Sequence, residues 1–285
     1  MRHLILLLTF SLAGCAYRGM VRTPFDVSPE VVAIPTDAEA LDRGRYLVET
    51  VSRCGDCHNS DLAGEAYIDA FPMGTFAGPN ITPGAGSVVA GYSDAEWVRA
   101  IRHGLAPDGR VLLQMPSDAF AALTVDDLGA MIAWLKQVPA VDRVPPETDP
   151  GFVGRMLVRK GDLAVPALTI DHSAPIPRAV GEDPVAHGAY LGTLGGCLGC
   201  HGEDLAGKDL GPGQPRATNL TPHADGLDGW SEADFVRAMR NGVRPDDSQL
   251  DPLMPWAVTA GLTDADLAAL WAWLQSVPPE AAPEK

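Results

Sequence analysis

Two stretches of the chain, TVDDLGAMIAWLKQVP (residues 124–139) and TDADLAALWAWLQSVP (263–278), carry apolar side chains three or four residues apart. That recurrence puts Leu128, Ile132 and Leu135, or Leu267, Leu270 and Leu274, on one stripe of an α-helix. Each stretch begins at a threonine with acids in the first turn, which suits the open amides at a helix start. A second matched pair, SDAEWVRAIRHG (93–104) and SEADFVRAMRNG (231–242), opens with a capping box, Ser93 with Glu96 and Ser231 with Asp234. Each ends on a glycine, Gly104 or Gly242, where a left-handed residue can satisfy the last carbonyls. A third helix in each copy carries Gly44 and Tyr46, or Gly188 and Tyr190. No stretch reads convincingly as a strand, so the pattern predicts an all-α protein.

The matched elements keep their order and nearly their register. PNITP (79–83) answers TNLTP (218–222), and QMP (114–116) answers LMP (253–255). Asn80 and Asn219, Met115 and Met254, and Trp134 and Trp273 are each 139 residues apart, while Cys57 and Cys200 are 143 apart. Self-similarity at this spacing means two homologous units of about 100 residues. The expected units are residues 37–140 and 183–279, with a proline-rich linker at 141–182 and a short tail at 280–285. One short helix is expected in the linker around 151–164.

The start of the chain departs from this pattern. MRH is a short basic opening, LILLLTFSL an apolar run too short to cross a bilayer, and LAG stands before Cys15. That is the layout of an export signal. LAGC resembles a bacterial lipoprotein box, in which the cysteine is lipidated and becomes the new N-terminus. The other reading is an ordinary cleaved signal with an incidental cysteine. Residues 1–14 are therefore expected to be a signal peptide and 15–36 a lipid anchor and tether, which places the protein in the periplasm, held to a bacterial membrane.

Composition narrows the function classes. With 46% apolar and 20% charged residues the chain is expected to fold, and 30 glycines and 25 prolines imply short helices joined by much loop. A net charge of −16 with four lysines excludes a nucleic-acid backbone as partner, because neutralising phosphates needs a basic face. The acidity serves solubility or steers a basic partner. The most basic spot is Arg155, Arg159 and Lys160, either a solvated helix face or a contact for an acidic group.

The chemistry lies in CGDCH (54–58) and CLGCH (197–201). CxxCH is the attachment motif of c-type haem. Two thiols three positions apart reach the two vinyl groups on one porphyrin edge, and the following histidine supplies a nitrogen to iron. Cys54, Cys57, Cys197 and Cys200 are thus candidates for covalent attachment of two haems c, with His58 and His201 as axial ligands. With Cys15 assigned to lipid, all five cysteines are used. A redox dithiol lacks its usual strand–helix context, half a zinc site would need further ligands, and a disulfide leaves the doubled histidine unexplained.

Met115 and Met254 are the candidate second axial ligands. They stand 57 and 53 residues after their histidines, each before a proline that disfavours helix at the methionine. The alternative is a pair of core methionines. His103 competes, but its counterpart is Asn241; His172, His187 and His223 have no histidine partner in the other repeat and read as surface residues. Histidine and methionine together raise the potential and fill both axial positions, which favours electron transfer over chemistry at the iron. Asn80, Thr82, Asn219 and Thr221 either meet haem propionates or set an Asx-type turn. Arg99 and Arg237 either pair with propionates or form surface ion pairs. Trp134 and Trp273 are expected to pack where the last helix crosses Gly44 and Gly188.

The set CxxCH, N-[IL]-T-P, V-R-A-x-R-x-G, M-P and A-W-L…V-P resembles the class I cytochrome c domains of the cytochrome subunits of membrane-bound alcohol and gluconate dehydrogenases. The resemblance covers residues 37–140 and 183–279. It implies a small all-α fold in each unit and the ligand set named above. It also implies passage of electrons from a periplasmic dehydrogenase toward quinone, a cytochrome or a terminal oxidase. The family's subunits commonly carry three haem domains and this chain shows two, which with the lipobox points to a free-standing, non-catalytic carrier. The alternatives are a dedicated dehydrogenase subunit, or an oxidoreductase of the peroxidase or thiosulfate-oxidising type, which would need an open iron or a spare cysteine.

Overall fold

The computed structural model describes residues 27–211 and 213–284. The expected signal peptide and Cys15 lie outside these residues. The described chain divides into two compact units: one takes residues up to Gly44 together with Cys54–Ile176, the other Arg45–Arg53 together with the residues from Pro177 onward.

In chain order the first elements are α1 (Ala38–Tyr46), which runs on into a π-helical turn (Leu47–Val51), and α2 (Gly55–His58). Then come β1 (Glu65–Ala70), β2 (Gly74–Gly78), α3 (Asp94–His103), α4 (Ser117–Phe120), α5 (Val125–Leu135), β3 (Asp149–Pro150), α6 (Phe152–Lys160) and a 3₁₀ turn (Pro166–Leu168). The second half continues with α7 (Pro184–Leu194), α8 (Cys197–His201), β4 (Lys208–Asp209), β5 (Arg216–Ala217), α9 (Glu232–Asn241), α10 (Trp256–Thr259) and α11 (Asp264–Ser276). No described helix is long and apolar enough to cross a membrane.

The capping chemistry acts as the sequence reads. Ser93 and Ser231 each complete a capping box with Glu96 and Asp234, and Gly104 and Gly242 end those helices in the left-handed region. Thr124 and Thr263 cap α5 and α11 by accepting the amides of Asp127 and Asp266. Each of these caps contributes on the order of 1 kcal/mol.

Gly44 and Gly188 allow the first and last helices of each repeat to cross in contact. A Cβ on Gly44 would lie 2.0 Å from the carbonyl oxygen of Ala130 and 3.0 Å from the Cβ of Trp134. One on Gly188 would lie 2.0 Å from the carbonyl oxygen of Ala269 and 2.7 Å from the Cβ of Trp273. Both tryptophans are packing residues at these crossings, as their spacing predicts.

The expectation that no stretch forms a strand is corrected. β1 and β2 form an antiparallel hairpin, β3 adds two residues to its edge, and β4 pairs with β5. The hairpin escapes the period-two test because its register slips between Ala66 and Ile68, which breaks the alternation that marks a strand. Its inward anchor is Phe76, almost wholly buried.

Residues 141–176 belong to the first unit and supply part of its core. Val158, Val165 and Ala167 join Val27, Leu105 and Val111 in one apolar cluster, with Leu113 and Leu163 at its edge. The helix expected around 151–164 is α6, ended by Gly161 at φ 83°. The last residues of the expected tether are also packed: Val27 and Val32 are buried, and the carbonyl of Ala33 lies 2.3 Å from where a Cβ on Gly129 would stand. A glycine on the buried side of α5 lets that strand of chain lie directly on the helix backbone.

Candidate functional site

Each CxxCH forms a single helical turn held between two left-handed residues. Arg53 (φ 49°) and Asn59 (φ 64°) bracket α2; Gly196 (φ 73°) and Gly202 (φ 89°) bracket α8. Reversing the chain on both sides isolates the turn, so that two cysteines and a histidine project from one short element. The chain then returns in the same way in both units: the Gly64 amide donates to the His58 carbonyl at 2.7 Å, and the Gly207 amide to that of His201 at 2.8 Å. Leu62 and Leu205 take the same left-handed conformation, at φ 59° and 60°.

The two histidines are buried and oriented alike. His58 Nδ1 lies 2.8 Å from the Pro79 carbonyl, and His201 Nδ1 lies 2.7 Å from that of Thr218. A carbonyl only accepts, so Nδ1 carries the proton and Nε2 keeps its lone pair. Burial lowers both pKa values against the opposing pull of that carbonyl, so the rings stay neutral. Holding one ring nitrogen by a hydrogen bond fixes the tautomer and aim of a metal-ligating imidazole.

All four motif thiols are unbridged. Burial, with Cys57 close by, pushes the Cys54 thiol up to about 12. Burial pushes Cys197 up to about 11, against the Arg53 guanidinium beside it. A dithiol redox site depends on a depressed thiol pKa, the opposite of this environment. Thiols kept in the SH form beside a neutral imidazole fit a thioether partner and a metal at Nε2.

Met115 and Met254 sit half-buried on loops, and the two loops share one geometry. The Ser117 amide donates to the Met115 carbonyl at 2.7 Å across Pro116 (φ −77°, ψ 55°). The Trp256 amide donates to the Met254 carbonyl, also at 2.7 Å, across Pro255 (φ −79°, ψ 49°). Each is an inverse γ-turn at the start of a short helix. By contrast Met131 and Met239 are buried within helices.

Of the two readings of Asn80 and Thr82, the geometry is that of the Asx turn. Asn80 Oδ1 accepts the amide and the hydroxyl of Thr82 at 2.9 and 2.8 Å. Its amide nitrogen donates to the carbonyls of Val141 and Arg143 at 2.8 and 3.0 Å, stitching the chain beyond α5 over the loop. Asn219 repeats this more sparely, accepting the Thr221 amide at 2.8 Å and donating to the Glu280 carbonyl at 2.6 Å.

The arginine pair divides. Arg237 is in an ion pair with Asp247. Arg99 donates to the Val27 carbonyl at 2.6 Å, while its Nε is buried without a hydrogen-bond partner. A buried N–H left unpaired costs about 1–3 kcal/mol, so its surroundings suit an anionic acceptor.

Sequence reading missed a set of partly buried pairs. Arg43 forms a two-pronged bond to Asp127, both contacts 2.8 Å. At the matched position His187 Nε2 lies 2.8 Å from Asp266, which also accepts the Tyr46 hydroxyl at 2.5 Å. The signal was present, since Asp127 and Asp266 hold the same helix position in both repeats. His103 is buried with its Nδ1 3.0 Å from that of His172, and His223 is 3.3 Å from Asp225. The reading of His172, His187 and His223 as plain surface residues is therefore corrected: each is partly buried and has a specific polar partner.

Residues 185–278, which hold the second CxxCH, match the cytochrome c family. A cytochrome c domain implies haem c as its group. Over nearly its whole length the chain is also similar to cytochrome subunits of bacterial dehydrogenases. It is 29% identical to the fructose dehydrogenase cytochrome subunit of Gluconobacter japonicus, over 87% of this chain and 55% of that one. It is 30% identical to the cytochrome c subunit of the quinone alcohol dehydrogenase of Gluconacetobacter polyoxogenes, over 95% and 61%. The chain thus spans little more than half the length of these subunits. It is 28% identical to a dihaem c-type cytochrome of Cereibacter sphaeroides, over 94% of this chain and 95% of the other.

Proposed function

We propose that the chain is a dihaem c-type cytochrome that carries electrons in a bacterial periplasmic respiratory chain and catalyses no reaction itself. Cys54 and Cys57 hold one haem c with His58 and Met115 on its iron; Cys197 and Cys200 hold the other with His201 and Met254. The observation that carries this reading is the repetition of one arrangement: a motif turn between left-handed residues, a buried histidine with Nδ1 engaged, and a methionine opening an inverse γ-turn. When bound, each haem supplies a one-electron iron couple, and sulfur ligation sets its potential high relative to harder ligands. The protein's part is to hold the imidazole tautomer, keep both axial positions filled and enclose the centre. Cys15 holds the chain to the membrane.

Similarity to fructose and alcohol dehydrogenase subunits supports a periplasmic dehydrogenase as donor, with a cytochrome or oxidase downstream. Similarity over 94% of the chain to a dihaem cytochrome supports a carrier with two centres. Mass measurement of the exported protein is expected to show two haem adducts. The oxidised spectrum is expected to be low-spin with the long-wavelength sulfur–iron band, and Met115→Ala or Met254→Ala removes that band in part and lets carbon monoxide bind the reduced iron. One adduct, or a high-spin centre in the unaltered protein, overturns the proposal. Co-purification with a dehydrogenase would assign it as a subunit rather than a free carrier.

A further inference from the structure

The two repeats differ in what lies over their matched site elements. In the first unit the loop from α3 to Met115 is roofed by the chain beyond β3. Leu105 and Val111, almost wholly buried, join Val158, Val165 and Ala167 in one apolar cluster. The Gln114 side-chain amide donates to the Ala164 carbonyl at 3.0 Å, which ties the residue next to the methionine to that roof. Leu105 and Val111 face each other in an isolated β-bridge, and Val243 and Gln249 form the same bridge in the second unit. There Val243 is half-buried and Gln249 exposed, and Leu253, next to Met254, is 50% exposed.

The motif turns differ in the same sense. A Cβ on Gly64 would meet the Gly78 carbonyl, as one on Gly207 would meet that of Ala217, which matches the two returning strands. Between those points the first unit has four more residues, and they let it form the β1–β2 hairpin. A Cβ on Gly78 would lie 2.1 Å from the Cys57 carbonyl oxygen, so the hairpin rests directly on α2. Tyr67 of β1 is half-buried near the Cys57 thiol; burial first, and that thiol second, raise its pKa. Cys57 is half-buried, whereas its counterpart Cys200 is exposed. Charge follows enclosure. Residues 105–115 balance Asp108 against Arg110, while 243–254 set Asp246, Asp247 and Asp251, all exposed, against Arg244. Bonds from Ser248 hold the Asp246 carboxyl low, and Asp247 is in the ion pair with Arg237.

An iron centre carries one more positive charge when oxidised than when reduced. Apolar enclosure disfavours that added charge and raises the reduction potential; nearby carboxylates and access of water favour it and lower the potential. We propose that residues 163–168 and the β1–β2 hairpin set the centre of the first unit at the higher potential, and that the open acidic loop 243–254 sets that of the second at the lower. A single electron on the protein then rests in the first unit. In the fully reduced protein the electron of the second unit leaves first. This ordering rests on the reading of two His/Met-ligated haems c.

A redox titration of the exported full chain, followed by haem absorbance, is expected to resolve two one-electron waves. Their equilibria should differ about tenfold or more, and tenfold is about 59 mV for one electron. In Met254→Ala the wave that keeps its place is expected to be the upper one, and in Met115→Ala the lower. Asp246→Asn with Asp251→Asn is expected to raise the lower wave, by about twofold in its equilibrium, and to leave the upper one in place. Both side chains are exposed, so circular dichroism stays unchanged. Val111→Thr, which puts a hydroxyl into the apolar cluster, is expected to lower the upper wave alone. Coincident waves, the reverse assignment, or a lower wave unmoved in the double variant overturns the proposal, even where Val111→Thr fails to fold. One haem adduct or a high-spin centre, read separately by mass and spectrum, overturns instead the reading of the site on which the ordering rests.

Discussion

Replacing Asn80 by aspartate tests the account of the loop that closes the first site. The side chain is wholly buried, and its five hydrogen bonds divide by polarity: Oδ1 accepts twice from Thr82, and the amide nitrogen donates to the Ala85, Val141 and Arg143 carbonyls. Alanine forfeits all five, at about 0.5–1.5 kcal/mol each, for a total of about 2.5–7.5 kcal/mol. Aspartate keeps the shape but, when ionised, turns an oxygen without a proton toward three carbonyl oxygens. Burial and those carbonyls favour the protonated form, so the folded-state pKa of this aspartate lies above its unfolded value. A raised folded pKa means that the aspartate's contribution is fully present below the unfolded pKa, about 3.9, and is lost as pH rises through the folded pKa. Asn80→Asp should therefore recover stability relative to the unaltered protein on acidification. Asn219→Asp serves as the internal comparison, because one carbonyl, that of Glu280, faces its amide nitrogen. Urea unfolding followed by circular dichroism and haem absorbance at several pH values measures both. A pH-independent deficit in Asn80→Asp, or an equal deficit at the two positions, refutes the reasoning.

Gly188→Ala should destabilise by about 1–3 kcal/mol, seen as a lower urea midpoint, because its Cβ would meet a backbone oxygen at 2.0 Å and the helices must part. Burial alone would raise the pKa of Asp266, but bonds from Tyr46, His187 and Thr263 outweigh it and hold the carboxyl low. Its contribution is thus present above the ordinary carboxylate pKa and lost as pH falls through the depressed folded value. Tyr46→Phe with His187→Gln should move the onset of acid unfolding to higher pH, which a circular-dichroism pH titration would show. Ser93→Ala removes the hydroxyl that accepts the Glu96 amide, while the backbone half of the capping box remains, and should cost about 1 kcal/mol in the same urea assay, with the haem spectrum unchanged.

The helices, their caps and the doubled chemistry were legible because they rest on local rules. A threonine or serine before an acidic turn, a glycine after a helix and a CxxCH each act within a few residues, and repetition separated such signals from accident. The tight helix crossing was legible for a related reason: a glycine recurring opposite a tryptophan leaves a small choice of packings. The hairpin was not, because a register slip erased the alternation by which a strand is recognised. The partners of Asp127 and Asp266 were not either, because a hydrogen bond between residues 84 or 79 positions apart leaves no periodic trace.

By itself the sequence determined that the CxxCH set recurs, with a Met-Pro at a matched place after each copy, and so named the candidates for porphyrin and iron. Tertiary structure alone decided which ring nitrogen of His58 and His201 is left for a metal, since the Pro79 and Thr218 carbonyls are brought there by the loop. It also decided that Asn80 stitches backbone, and that residues 141–176 join a core. The physical reason is one of range: covalent and helical chemistry is written over a few residues, whereas burial and hydrogen-bond satisfaction are settled by whatever distant backbone the folded chain delivers.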